Sequence, residues 1–158
     1  RKQIGHWETD NVIGKQTDQS ALSVTVERVT RLTLLTKLAD KTTAVKTSSL
    51  INRLTPFSDR VRKTLTADNG AENTHHQEVA EETGMSVYFC HAYHSWEKGT
   101  VENMNGRIRR FIPKGVSLDL ITDRYIAELE NRLNATPRKC LNYLTPYEMM
   151  SKLQSATK

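Results

Sequence analysis

His6-Trp7-Glu8-Thr9-Asp10-Asn11-Val12-Ile13, closed by Gly14, is followed by Leu22-Ser23-Val24-Thr25-Val26-Glu27-Arg28-Val29 and then by Leu32-Thr33-Leu34-Leu35-Thr36-Lys37-Leu38. All three runs are rich in β-branched, aromatic and Leu residues, and the second alternates Leu, Val and Val with polar side chains, the period of a strand. Gaps this short exclude a parallel return, which needs a crossover of about a dozen residues. The N-terminal quarter of the chain therefore predicts an antiparallel meander of three strands.

Working outward, Thr42 to Leu54 reads as a helix stopped by Pro56, and Arg62 to Ala67 as a fourth strand. His75 to Glu82 is a short helix ended by Gly84, and Ser86 to Cys90 is a fifth strand. The remainder is helical, broken at Pro113-Lys114-Gly115 and resumed near Thr122 with Ile126, Leu129 and Leu133 as its buried stripe. A further turn starts at Thr145-Pro146, where Glu148 completes a capping box. The order is β-β-β-α-β-α-β-α-α, an α/β chain.

At 158 residues and 37% apolar content, the chain fits one domain, residues 1–158, and no apolar run approaches the roughly 18 residues of a membrane span. It begins at Arg1 without an initiator Met or a secretory signal, as expected of a piece of a longer protein. Cys90 and Cys140 read as reduced packing residues rather than a disulfide framework. The net charge of +5 is compatible with a polyanionic partner but decides little. Its distribution says more: Arg107, Arg109, Arg110 and Lys114 crowd after Glu102, and Arg138 and Lys139 follow Pro137.

Three acids stand in three local settings. Asp10 lies on the first strand, Asp68 in Ala67-Asp68-Asn69-Gly70 at the end of the fourth, and Glu102 in Gly99-Thr100-Val101-Glu102-Asn103-Met104-Asn105-Gly106 on a helix. Two hard cations roughly 3.5–4 Å apart, held by such carboxylates, are what phosphodiester cleavage uses. Spacing alone does not bring the acids together.

The order of elements matches the ribonuclease-H-like fold, a mixed five-stranded sheet with three antiparallel strands then two parallel, flanked by helices. Gly5-His6-Trp7-Glu8-Thr9-Asp10, Ala67-Asp68-Asn69-Gly70, the run from Trp96 to Gly115 and Pro137-Arg138-Lys139-Cys140-Leu141 closely resemble the catalytic domain of bacterial transposases of insertion-sequence family thirty. The resemblance covers nearly the whole chain. It implies a DDE-type, integrase-like catalytic core in which Asp10, Asp68 and Glu102 align with the metal-binding triad. The implied cofactors are two Mg²⁺ or Mn²⁺ ions, bridged by Asp10, with Asp68 completing one shell and Glu102 the other. The implied partners are double-stranded DNA, as transposon ends and as target, and further copies of the protein in a synaptic complex. Neither a small-molecule substrate nor a membrane is implied, the N-terminal DNA-binding region lies outside this chain, and the setting is the bacterial cytoplasm, at the nucleoid.

Each residue also has a plainer reading. Val101, Met104, Ile108 and Phe111 form one apolar helical stripe, and Glu102, Asn105 and Arg109 a neighbouring one about 100° round, which aims an acid and a base at one phosphate or merely forms a solvated face. Glu8 shares the strand face of Asp10, as a supporting group or a paired acid, whereas Trp7 belongs to the core. Asp68 before Asn69-Gly70 is either a ligand or a turn former. Asn69 and Asn103 are candidates to hold the acids in place. Arg107, Arg109, Arg110, Lys114, Asn105, Arg138, Lys139 and His94 are candidate DNA contacts, with Arg138 and Lys139 otherwise a solvated turn. Cys90, His91, His94, His75 and His76 do not complete a tetrahedral zinc set. Two rivals stay open: another nuclease of the same fold, such as a ribonuclease H, and an inactive DNA-binding or regulatory scaffold.

Overall fold

The computed structural model describes residues 3–70, 75–91 and 95–156. β1 (His6–Val12), β2 (Ala21–Glu27) and β3 (Thr33–Leu38) form the antiparallel meander expected from the opening runs. β4 (Thr64–Ala67) pairs parallel with β1, and β5 (Ser86–Phe89) parallel with β4, giving the order β3-β2-β1-β4-β5. The strand bearing Asp10 is thus central, and only a crossover through α1 (Thr43–Leu54) lets the chain return beside it.

α2 (His76–Thr83) joins β4 to β5 and ends at Gly84, whose φ of 69° is the left-handed conformation that closes a helix. After β5 come α3 (Gly99–Ile108), α4 (Asp123–Asn134) and α5 (Pro146–Ser155). The sequence reading ended in two helices and made the Thr145-Pro146 segment a single turn; it is a full helix. The Thr145 N–H donates to Glu148 at 2.7 Å, the Glu148 N–H donates to Thr145 Oγ1 at 3.1 Å, and Met150 is buried beneath. Cap and burial together sustain ten residues where the cap alone announces one turn.

Helices cover both faces of the sheet. Val12, Leu22, Val24, Val26 and Leu35 pack against Val101, Met104 and Ile108 of α3 and Ile126, Leu129 and Leu133 of α4. Trp7, Leu34 and Leu65 pack on the other side against Leu50 and Leu54 of α1, Val79 of α2 and Met150 of α5. β2 is accordingly buried along its whole length, as a strand covered on both faces must be. Trp7 is fully buried, and its indole N–H donates to the Val61 carbonyl at 2.6 Å.

Two aspartates clasp the β1–β2 loop to the segment after α3. Buried Asp18 accepts the N–H of Lys15 and of Leu118, both at 2.8 Å, and the Ser117 hydroxyl at 2.7 Å. Asp119 reciprocates, accepting the N–H of Ser20 at 2.9 Å and of Gln19 at 3.2 Å together with the Ser20 hydroxyl. Gly14 is required at this junction, because a Cβ there would lie 2.8 Å from the Val116 carbonyl oxygen and overlap the Asp18 carboxylate.

Candidate active site

The parallel pairing of β1 with β4 aligns His6 with Thr64, Trp7 with Leu65 and Glu8 with Thr66. Carried two residues further, the same register sets Asp68, just past the end of β4, beside Asp10, two residues before the end of β1. Lys98, immediately before α3, joins them: its Nζ lies 3.4 Å from Asp10 Oδ1 and 3.2 Å from Asp68 Oδ2, with the side chain nearly buried. Two acids that the sequence separates by an entire helix and three strands therefore share one cation.

α3 is docked to the same strand by its neighbours. Glu8, fully buried, accepts the N–H groups of Thr100 at 2.8 Å and Val101 at 2.9 Å through one oxygen, and its other oxygen pairs with Arg28 at 3.0 Å. A carboxylate against the free N–H groups of a first turn complements both their hydrogen-bonding need and the positive end of the helix. One turn further on, Asn105 Nδ2 donates to Asp10 Oδ2 at 2.9 Å. Glu102 stands three residues before Asn105, so it shares the face that looks toward Asp10. Its side chain is exposed, and among the described residues no group of three His, Cys, Asp or Glu is gathered tightly enough to hold an ion. The structure brings Asp10 and Asp68 together and leaves Glu102 adjacent on the helix.

Burial of Asp68 would raise its pKa, but the charge and hydrogen bond of Lys98, the Gly70 N–H and the charge of Lys46 hold the carboxyl below its ordinary value. Burial of Lys98 works against its charge too, and Asp10 and Asp68 more than offset it, so the ammonium is held above its usual range. The pair of oxygens fits a hard cation, since it already accommodates a positive charge and offers only carboxylate donors. Lys98 was not among the residues singled out from sequence. Its signal was position: four residues before Glu102, a spacing that puts two helical side chains on one face.

Other candidates distribute unevenly. Asn69 Nδ2 donates to the Cys90 carbonyl at 3.1 Å, tying the turn after β4 to the end of β5. Asn103 does not reach the acids; its oxygen accepts from Arg107 Nε at 3.3 Å, on the flank of α3 turned away from Asp10. α3 ends before Arg109, so the proposed Glu102–Arg109 stripe is cut short, and Arg109 donates instead to the Ile13 carbonyl at 2.8 Å. Arg110, Lys114 and Lys139 are exposed. Arg138, read as part of a solvated turn, is buried and donates to the Leu133 carbonyl at 2.8 Å, closing the last turn of α4. Cys90 is buried but Cys140, expected to pack, is exposed. His91 pairs with Glu97 at 3.0 Å, and His76 meets the Phe89 ring edge-on at 4.9 Å. His94 lies outside the described residues.

A mixed five-stranded sheet thus sets Asp10 and Asp68 side by side on adjacent parallel strands, with the helix that bears Glu102 docked across them. The model of the integrase core domain family matches residues 1–95, and the chain belongs to that family. Its relatives include the transposase for insertion sequence element IS1086 of Cupriavidus metallidurans, 38% identical over 149 residues that make up 94% of this chain and 44% of that protein. Transposase InsI for insertion sequence element IS30A of Escherichia coli is 36% identical over 152 residues, 96% of this chain and 39% of that one. The resemblance to insertion-sequence family thirty is thus borne out, and the chain spans less than half the length of these curated relatives. Among solved structures, the catalytic core domain of BIV integrase superposes with a TM-score of 0.70 at 18% identity, over 98% of this chain and 99% of that one. A chain of the simian T-cell lymphotropic virus intasome in complex with PP2A regulatory subunit B56 gamma gives 0.71 at 16% identity, over 93% and 54%. The fold is ribonuclease-H-like. No helix among the described residues is long and apolar enough to cross a membrane.

Proposed function

We propose that this chain is the catalytic core of a DDE-type transposase, which cleaves DNA strands at the ends of a mobile element and joins them to target DNA. The observation that carries this reading is the single ammonium of Lys98 shared by Asp10 and Asp68 on two adjacent parallel strands. Asp10, Asp68 and Glu102 would together hold two Mg²⁺ or Mn²⁺ ions. Such ions, when bound, activate the attacking oxygen and neutralise the charge developing on the leaving oxygen.

The chain's own residues prepare the site. Asn105 fixes one oxygen of Asp10, leaving the other directed to the side of Asp68. Glu8 fixes the start of α3, and with it the height of Glu102 above the sheet. Lys98 stands between the two carboxylates, holding the Asp68 carboxyl below its ordinary pKa and offsetting a repulsion that would otherwise drive the pair apart. In the first step water attacks a phosphodiester and the 3′ oxygen leaves as a hydroxyl; in the second that hydroxyl attacks a target phosphodiester and another 3′ oxygen leaves. No side chain becomes bonded to DNA.

On this reading residues 1–158 act as one domain at the bacterial nucleoid, DNA is both substrate and partner, copies of the protein associate to bring two ends together, and recognition of the ends belongs to a region outside this chain. Asp68→Asn and Glu102→Gln are expected to abolish Mg²⁺-dependent nicking and joining while leaving DNA affinity within a few-fold. Full activity in either variant removes the assignment. Preferential degradation of an RNA–DNA hybrid would point instead to a ribonuclease H, and absence of carboxylate-dependent Mg²⁺ binding in calorimetry to an inert scaffold.

A further inference from the structure

On the flank of α3 turned away from Asp10 is a cavity of about 320 Å³ into which three guanidinium groups are brought from separate parts of the chain. Arg31 comes from the turn after β2, Arg107 from α3 itself and Arg138 from the segment after α4. No Asp or Glu lines the cavity, and none of the three arginines forms an ion pair among the described residues. Arg138 is only 5% exposed, and its Nε has no hydrogen-bond partner. Burial, and then the neighbouring charge of Arg107, push its pKa down, so both disfavour the charge it carries. A buried cation held next to a second cation is destabilising unless an anion compensates it.

The surroundings hold these cations in place without neutralising them. Arg31 donates to Thr100 Oγ1 at 3.1 Å, and Arg107 Nε donates to Asn103 Oδ1 at 3.3 Å. Arg31 keeps its long side chain at a φ of 63°, a left-handed backbone conformation where Gly or Asn is the easier choice. The bond from Arg138 to the Leu133 carbonyl gives that residue a part in closing α4. It uses one donor of a group that has five, and it supplies no counter-charge.

We propose that this cavity is a phosphate-binding site that takes one backbone phosphodiester of the DNA strand running past the acidic centre. The inference rests on DNA being the substrate and adds a place where its backbone is held. Guanidinium groups are the side chains best matched to phosphate oxygens, through paired N–H donors in a fixed fork. Thr100 and Arg107 on the cavity wall and Glu102 and Asn105 on the side of Asp10 stand on opposite flanks of one helix. A helix about 10 Å across corresponds to about three base-pair steps of 3.4 Å along the axis of a duplex. A phosphate held here would anchor the strand a few nucleotides from the bond being broken, a positioning contact in which the arginines touch no reacting atom.

The test is the salt dependence of duplex DNA binding by the full-length protein, wild type against Arg107→Gln and Arg31→Gln, with Arg124→Gln on the exposed face of α4 as control. Arg138 is left intact because it also closes α4. The two substitutions combined are expected to reduce the slope of log K against log salt by up to about 0.9, the contribution of one phosphate, and to weaken binding up to about eightfold at 0.1 M salt, each single variant giving part of that, while the control does neither. Unchanged slopes in both cavity variants overturn the proposal. Inorganic phosphate provides the second arm: a rise in wild-type Tm that Arg107→Gln abolishes, combined with unchanged DNA slopes, would mark a site for the free ion and equally overturn the backbone assignment. Mg²⁺-dependent nicking by the same wild-type protein keeps the two readings apart, since nicking with unchanged slopes sinks this inference alone, and absence of both nicking and binding sinks both.

Discussion

The Glu8 carboxylate accepts the Val101 backbone N–H at 2.9 Å, so the strand that bears Asp10 is also what fixes the helix that bears Glu102. Two residues along one strand thereby set both the position of one acid and the approach of the element carrying another.

Removing that carboxylate leaves two buried N–H groups of α3 unsatisfied and Arg28 without its partner. Glu8→Ala is expected to destabilise the fold by about 2–4 kcal/mol, the range for stranded buried donors and a broken, partly buried ion pair. Glu8→Gln keeps an acceptor of the same shape and is expected to cost about 1 kcal/mol. Urea unfolding followed by circular dichroism reads both; an alanine variant within 0.5 kcal/mol of wild type on that scale would show that α3 is docked by its apolar face alone.

Lys98 and a divalent cation compete for the same two carboxylates. Lys98→Gln is therefore expected to bind Mg²⁺ or Mn²⁺ more tightly than wild type, by about tenfold, equivalent to about 1.4 kcal/mol. Isothermal titration calorimetry on the DNA-free protein gives the comparison directly. Equal or weaker affinity in the variant would mean that the ammonium does not obstruct the cation site.

The clasp at Asp119 predicts an acid-sensitive contribution to stability. The Ser20 hydroxyl first, then the N–H groups of Ser20 and Gln19, hold the Asp119 carboxyl below its ordinary value. A carboxyl depressed in the folded state stabilises it fully above the unfolded value of about 3.9 and progressively less as pH falls through the folded one. Asp119→Asn should therefore differ from wild type at pH 6 and converge on it near pH 2, as read by denaturant midpoints. A difference that persists undiminished in acid would place its origin in packing instead of charge.

Gly14→Ala is expected to lower stability by about 1–3 kcal/mol, the range for forcing an extra carbon into a filled site. Its Cβ would press on the Val116 carbonyl and displace the Asp18 carboxylate from its three donors. A thermal melt unchanged from wild type would mean that the 113–118 segment moves aside freely.

The meander, the crossover helix, the two parallel strands and the capping box at Thr145 were legible because each is announced locally, by alternation, by Pro56 and Gly84, or by a Thr-Glu spacing. α5 was shortened to one turn because its persistence depends on Met150 reaching a core formed by distant residues. Lys98 went unnoticed for a related reason: a lysine beside a glutamate helix looks like ordinary surface charge until two strands deliver their acids to it. Arg138 looked solvated after Pro137 because nothing in its neighbourhood along the chain predicts that α4 will cover it.

What the amino acids determined unaided was the order of the strands and of the helices that are announced locally, since periodicity and caps act over a few bonds. What only the tertiary structure decided was which charges meet. The parallel register of β1 with β4 sets Asp68 beside Asp10, and the docking of α3 brings Lys98 between them while leaving Glu102 to one side. The physical reason is range: hydrogen-bonding propensity is settled between near neighbours, whereas a charge cluster needs backbone segments dozens of residues apart to be held at contact by a shared apolar core.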